Sequence, residues 1–130
     1  MPVTFRVDRG CGVLELQGAY TVAEAHTTLL EGLASLPAGR ATGLVVDVSD
    51  SDMVRARTSP DIMRAAQAMG ELGERFAYRL GIVAPSALTF GLMRMGGSRA
   101  EGAGLTVRVC RSYAAAIAWV LGDGSADERN

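Results

Sequence analysis

Two kinds of apolar run alternate along this chain. From position 12 onward, a short strand-like run is followed by a run with helical spacing, and the pair recurs four times. The runs, in chain order, are Gly12–Gln17, Val22–Leu36, Gly43–Val48, Pro60–Phe76, Leu80–Ala84, Leu88–Met95, Leu105–Cys110 and Tyr113–Leu121. Such alternation is typical of a parallel sheet covered by helices.

One further strand-like run, Val3–Val7, precedes this series and is joined to it by the glycine-rich stretch Asp8–Gly12. Two short apolar runs around such a turn predict a β-hairpin. We therefore expect an α/β protein with a mostly parallel, mixed five-stranded sheet. It should begin with the hairpin, continue as βα repeats and carry four flanking helices.

Polar residues mark where the predicted helices begin. Thr21 precedes an apolar stripe at helical spacing and is followed three residues later by Glu24, which is the capping-box pattern. Ser59 stands before Pro60, a proline suited to the first helical turn. Ser112 is placed to cap the last helix.

The segment Leu88–Met95 predicts a short, largely apolar helix, and Gly96–Gly104 a loop or a frayed helix end. If Leu88, Leu92 and Met95 face the core, Phe90 and Met93 lie toward another side. Exposed apolar side chains of this kind would suggest contact with a protein or a lipid.

Composition favours one folded domain. The chain has 130 residues, of which 48% are hydrophobic and 21% charged. We expect the domain to span residues 1–122, followed by a flexible polar tail over 123–130. The net charge of -1 gives no reason to expect nucleic acid or an anionic membrane as a partner.

The expected compartment is the cytoplasm. The first residues lack the apolar core of a signal peptide, and no apolar run approaches the roughly 20 residues that span a bilayer. Cys11 and Cys110 form no CxxC or metal-spaced set, so free thiols are expected.

In a parallel sheet, ligands bind beyond the carboxyl ends of the strands. The segments expected to meet there are Gly18–Thr21, Asp47–Ser59, Ala84–Ala87 and Cys110–Ser112. The candidate residues for a ligand or partner face are Tyr20, Asp47, Asp50, Pro85, Ser86, Phe90, Met93 and Arg94.

Residues that could perform catalysis are few. His26 is the only histidine, and no Gly-x-Ser-x-Gly nucleophile elbow occurs. Asp47 and Asp50 follow a buried strand and could hold Mg²⁺, although they do not form an Asp-x-Asp pair. We therefore expect a non-enzymatic protein without cofactor or metal, and rank a metal-dependent enzyme using Asp47 and Asp50 third.

The whole pattern resembles a known family over about residues 12–121. The residues that carry the resemblance are Gly12-Val13-Leu14, Leu16-x-Gly18-x-Tyr20-Thr21, Val45-Val46-Asp47, Val83-Ala84-Pro85, Phe90-Gly91-Leu92-x-Arg94-Met95, Val107-Arg108-Val109-Cys110 and Ala115–Trp119. Together they resemble the SpoIIAA-like family, the STAS-type domains that are related in fold to CRAL-TRIO lipid-binding domains.

This resemblance implies a non-enzymatic interaction or regulatory module that acts through a protein partner or a second copy of itself. In related anti-sigma-factor antagonists, a serine that opens the second helix is phosphorylated. The corresponding candidates here are Thr58 and Ser59, although the Asp-Ser-Ser/Thr-Gly pattern is missing. The alternative hypothesis is a CRAL-TRIO-like site for a lipid or another apolar small molecule.

Overall fold

The predicted hairpin is formed by β1 (Val3–Asp8) and β2 (Cys11–Gly18) in the computed structural model, which describes residues 2–51 and 59–122, apart from the side chains at positions 59–63, 88, 96 and 99. Its turn contains only Arg9 and Gly10, whose φ angles of 53° and 85° match the twist of the paired strands. The expected turn, Asp8–Gly12, was longer at both ends. Asp8 pairs with Cys11, so Asp8 belongs to β1, and Cys11 and Gly12 belong to β2.

The remaining elements follow the predicted alternation. They are α1 (Val22–Ala34), β3 (Leu44–Ser51), α2 (Ser59–Leu72), β4 (Arg79–Val83), α3 (Ala87–Gly102), β5 (Thr106–Cys110) and α4 (Tyr113–Val120). The five strands lie side by side in chain order, and every pairing after the hairpin is parallel. The predicted α/β fold, with a mixed five-stranded sheet and four helices, is confirmed.

The sheet has a hydrophobic core on each face. Leu14, Val46 and Ile82 point into a core shared with α1, α2 and α3. Their strand neighbours Val13, Val45 and Val83 belong to the opposite core, which α4 covers. Because side chains alternate between the two faces of a strand, continuous apolar runs such as Leu44-Val45-Val46 fill both cores at once.

Helix starts match the sequence signals. The side chain of Thr21 accepts a hydrogen bond from the backbone N–H of Glu24 at 3.0 Å, and the Glu24 carboxylate accepts one from the backbone of Thr21 at 3.0 Å. This is the predicted capping box. Ser86 and Ser112 cap α3 and α4 through their side-chain oxygens, and α2 begins at Ser59.

Replacing Thr21 with alanine should lower the free energy of unfolding by about 1 kcal/mol, because the backbone N–H of Glu24 at the start of α1 loses its side-chain acceptor. Urea titration followed by circular dichroism measures the change. Thr27→Ala, at an exposed position inside α1, is the matched control and should be neutral or slightly stabilising. Equal losses from the two variants would contradict the role of the cap.

Helix α3 is longer than the sequence predicts. Most of the expected loop Gly96–Gly104 is helical, since α3 continues to Gly102. The buried face of α3 carries small residues there: Ala100 is buried, and a Cβ at Gly97 would lie only 3.1 Å from Val107 on β5. Close packing against the sheet therefore outweighs the low helix propensity of glycine.

The expected orientation of α3 is confirmed for Leu92, which packs against the core, and is wrong for Met95. Met95, predicted to face the core, is 43% exposed, whereas Phe90 and Met93 are partly buried and pack against the core. The face of α3 that packs on the sheet is formed in part by small residues, Gly97 and Ala100. The spacing of large apolar residues in the sequence therefore does not predict this face.

Two predicted segments lie beyond the described part of the chain. In the segment Asp47–Ser59, expected at the carboxyl edge of the sheet, β3 continues to Ser51 and positions 52–58 fall outside the described residues, as does the predicted tail at 123–130. Within the described ranges, no helix combines the length and apolarity needed to cross a bilayer.

Candidate functional site

Tyr20 lies where β2 has ended and the chain turns into α1, at the carboxyl edge of the sheet. Its side chain is buried, and its hydroxyl lies 2.7 Å from that of Ser51, the last residue of β3. The pair ties together the ends of two neighbouring strands. The Tyr20 hydroxyl therefore takes part in a structural hydrogen bond at the edge of the sheet where ligands are expected.

Asp47 and Asp50 lie on β3 near that same edge. The register against β2 shifts between the pair Glu15–Asp47 and the pair Gln17–Asp50, which marks a β-bulge. A carboxylate oxygen of Asp47 accepts a hydrogen bond from the backbone N–H of Ser49 at 2.9 Å. In the described part of the chain, no three histidine, cysteine or acidic side chains group as metal ligands.

Pro85 and Ser86 lie between β4 and α3, and their oxygen atoms accept hydrogen bonds that hold this connection in place. The Ser86 hydroxyl accepts a hydrogen bond from the backbone N–H of Thr89 at 3.1 Å, and the two hydroxyls lie 2.6 Å apart. The carbonyl oxygen of Pro85 accepts a hydrogen bond from Nε of Arg111 at 2.8 Å. This contact brings the end of β5 against the start of α3.

A groove of about 360 Å³ runs between α3 and β5. Its lining residues are Phe90, Arg94, Gly97, Ser98, Glu101, Val107, Arg108 and Val109. We call it the α3–β5 groove. Apolar surface comes from the phenylalanine and the two valines, while the charged residues come from both walls.

Phe90 is the centre of a basic patch at this groove. The guanidinium carbon of Arg111 lies 5.2 Å from the centre of the Phe90 ring, and that of Arg94 lies 5.9 Å from it. Both separations are in the range of cation–π attraction. Arg108 lines the same groove. Among the residues that line the groove, Glu101 is the acidic one.

The sequence identified Phe90 and Arg94 but missed the arginines on β5 and after it, and its third candidate on α3, Met93, packs against the core instead of lining the groove. Arg108 and Arg111 are far from α3 in sequence and reach the groove only because β5 packs beside α3. The signal that could have found them was the placement of Arg111 at the carboxyl end of a predicted strand, beside the segment that contains Ser86.

The remaining sequence candidates lie outside the lining of this groove or outside the described residues. Ser59 opens α2, its side chain is outside the described set, and Thr58 lies outside the described residues. His26 is exposed on α1.

Both cysteines are free and buried. Burial raises the pKa of the Cys11 thiol, and a weaker opposing effect comes from its contact with Thr42. A raised pKa disfavours the reactive thiolate. This cysteine therefore packs as a small apolar residue in the core beneath α4.

A second polar cluster joins the hairpin to α4. The hydroxyl of Tyr113 donates a hydrogen bond to a carboxylate oxygen of Asp8 at 2.5 Å, and the guanidinium of Arg6 lies 5.0 Å from the centre of the Tyr113 ring. The bond from Tyr113 lowers the pKa of Asp8, and a second bond from Arg9 adds to that effect. These contacts clamp the start of α4 to the edge of the sheet.

Comparison with known proteins gives no family assignment, since the sequence matches no protein-family model and no curated protein.

Proposed function

We propose that this protein is a non-enzymatic interaction module of the SpoIIAA-like, STAS type, and that it binds a protein partner at the α3–β5 groove. The observation that carries the proposal is the groove itself, where half-buried Phe90 is flanked by Arg94 and Arg111. Arginine and aromatic side chains are the residues most enriched in the energetic centres of protein interfaces.

Local charge supports a selective partner. The whole chain has a formal net charge of -1, so the arginines around Phe90 form a basic patch on a nearly neutral protein. Guanidinium groups recognise carboxylates through paired hydrogen bonds. An acidic surface is therefore the natural complement of this groove.

The fold supports the family part of the proposal. A hairpin at one edge, followed by parallel strands and flanking helices, is the architecture that a SpoIIAA-like domain would have. Fold alone does not establish function, because one fold serves many activities. For that reason, the groove carries the proposal.

The experiment is affinity capture from the source cell with three forms of the full chain: wild type, R94Q/R111Q, and the control R9Q/R40Q. The control removes the same charge at two exposed arginines that pair with Asp8 and Glu74, away from the groove. We expect wild type and control to capture the same proteins, and R94Q/R111Q to recover them at least tenfold less, which corresponds to about 1.4 kcal/mol. Matching circular dichroism spectra would show that all three forms are folded.

Captured proteins that R94Q/R111Q retains at full yield would contradict binding at the groove. Native mass spectrometry of the purified chain separates the remaining possibilities. A dimer that R94Q/R111Q dissociates would make a second copy the partner.

The alternative function is binding of an apolar small molecule or lipid. A volume of about 360 Å³ lies at the lower end of the range for small-molecule sites, and Phe90, Val107 and Val109 offer apolar contacts. Native mass spectrometry after purification without detergent tests this alternative. Additional mass that is lost on denaturation, and is absent from a Phe90→Ser variant, would favour the ligand over the protein partner.

A further inference from the structure

Strand β5 forms an edge of the sheet. It pairs with β4, and no other strand in the described part of the chain lies beside it. The backbone N–H of Thr106 donates to the carbonyl of Tyr78 at 2.7 Å, and the carbonyl of Cys110 accepts from the N–H of Ala84 at 2.9 Å. In a parallel ladder, alternate residues bond to the same neighbour. The backbone groups of Val107 and Val109 therefore point to the outer side of β5.

The α3–β5 groove lies directly along this edge. The side chains of Val107 and Val109 are turned toward α3, as their approach to Gly97 shows. A strand laid beside β5 would have the same pleat, so every second side chain would enter the groove above it. The intervening side chains would lie on the other face of the sheet.

The charges along this edge favour one kind of occupant. Arg94 and Arg108 line the groove, and Arg111 follows β5 directly. A second copy of the chain, pairing β5 antiparallel with β5 about position 108, would place Arg108 opposite its own copy. Like charges placed opposite one another across a strand pair are destabilising. A segment with carboxylates at these positions would instead be attracted.

We propose that β5 accepts an extended, acidic segment of a partner protein as a sixth strand, with alternate side chains of that segment entering the α3–β5 groove. Addition of a strand at a sheet edge is a recurrent mode of peptide recognition, in which the backbone provides affinity and the pockets provide specificity. This inference rests on the proposed function and adds the conformation and charge of the bound segment.

The test begins with a library of random 12-residue peptides displayed on phage and selected on the full chain. Binders are counted if R94Q/R111Q loses them and R9Q/R40Q retains them. We expect a consensus in which every second position, the one whose side chain enters the groove, is restricted to acidic or apolar residues. A consensus with apolar residues spaced three and four apart would indicate a helix and overturn the proposal.

The consensus peptide is then synthesised with single backbone N-methyl groups at successive positions. Methylation at residues whose N–H faces β5 should weaken binding about tenfold, because one backbone hydrogen bond is lost and its acceptor is left buried. Methylation at the intervening residues should have little effect. Amide hydrogen exchange at Val107 and Val109 should slow at least tenfold when the unmodified peptide binds.

The outcomes separate this inference from the proposed function. Binding that needs Arg94 and Arg111, yet is indifferent to every N-methyl group, keeps the groove as a binding site and overturns the strand. A selection that yields no binder sensitive to R94Q/R111Q overturns the strand, and unchanged capture by that variant from the source cell then overturns the groove as well.

Discussion

Replacing Phe76 with alanine should lower the free energy of unfolding by about 3–5 kcal/mol, the cost of emptying a large buried site. Phe76 ends the 3₁₀ turn that follows α2, and none of its surface is exposed. Its ring packs in the core that α1, α2 and α3 share with the sheet. Since a domain of this size is stable by only about 5–15 kcal/mol, the loss is a large share of the total.

Phe90→Ala is the matched control for this experiment. It deletes the same atoms from a half-buried ring at the groove, so the expected loss is about 1–2 kcal/mol. Denaturant titration of both variants, with unchanged slopes, measures the difference. Similar losses at the two sites would contradict the central position of Phe76. If Phe76→Ala does not fold, Phe76→Leu provides a milder version of the same comparison.

The second large effect on the free energy of unfolding is expected for Gly32→Ala. Gly32 lies inside α1, where alanine ordinarily adds about 0.5–1 kcal/mol of stability. A Cβ at this position would lie 2.2 Å from the ring carbon Cγ of Phe5 on β1. Two further carbons of that ring would lie 2.4 and 2.6 Å away, so the ring, the helix or the edge strand must move. We expect Gly32→Ala to destabilise the protein by about 1–3 kcal/mol, which reverses the usual sign.

Gly91→Ala in α3 is the control, since a Cβ there would meet nothing within 4 Å. It should stabilise the protein by about 0.5–1 kcal/mol. The double variant Gly32→Ala/Phe5→Ala should lose less than the sum of its two single changes, because the second change removes the obstacle. Additive losses in this cycle would show that the contact with Phe5 is not the cause.

Much of the fold follows from local rules. Alternating apolar runs predicted the five strands and four α-helices of the described residues, and the pair Thr21 and Glu24 predicted a cap that the structure confirms. These signals are strong because their causes lie within a few residues of one another. The length of α3 was missed since Gly97 is accommodated by Val107, a residue that meets it only in the folded chain.

The site was less predictable than the fold for the same reason. Phe90 and Arg94 share one helix and could be recognised together, whereas Arg111 joins them only through the packing of β5. Conversely, Tyr20 and Ser86 were correctly placed near strand ends, but each is engaged in bonds that hold the backbone. A sequence pattern can place residues at an edge and still leave open which of them face solvent.

The side-by-side order of the strands has a consequence for how the protein is made. During synthesis, each new strand meets the outer side of the one completed just before it, so no strand has to be inserted between two that have already paired. The sheet can thus grow by adding each strand beside the previous one. Helix α4 also contacts the first strand, because the hydrogen bond from Tyr113 to Asp8 joins residues 105 positions apart. This bond can form only after nearly the whole chain has been made, and it connects the last helix to the first hairpin.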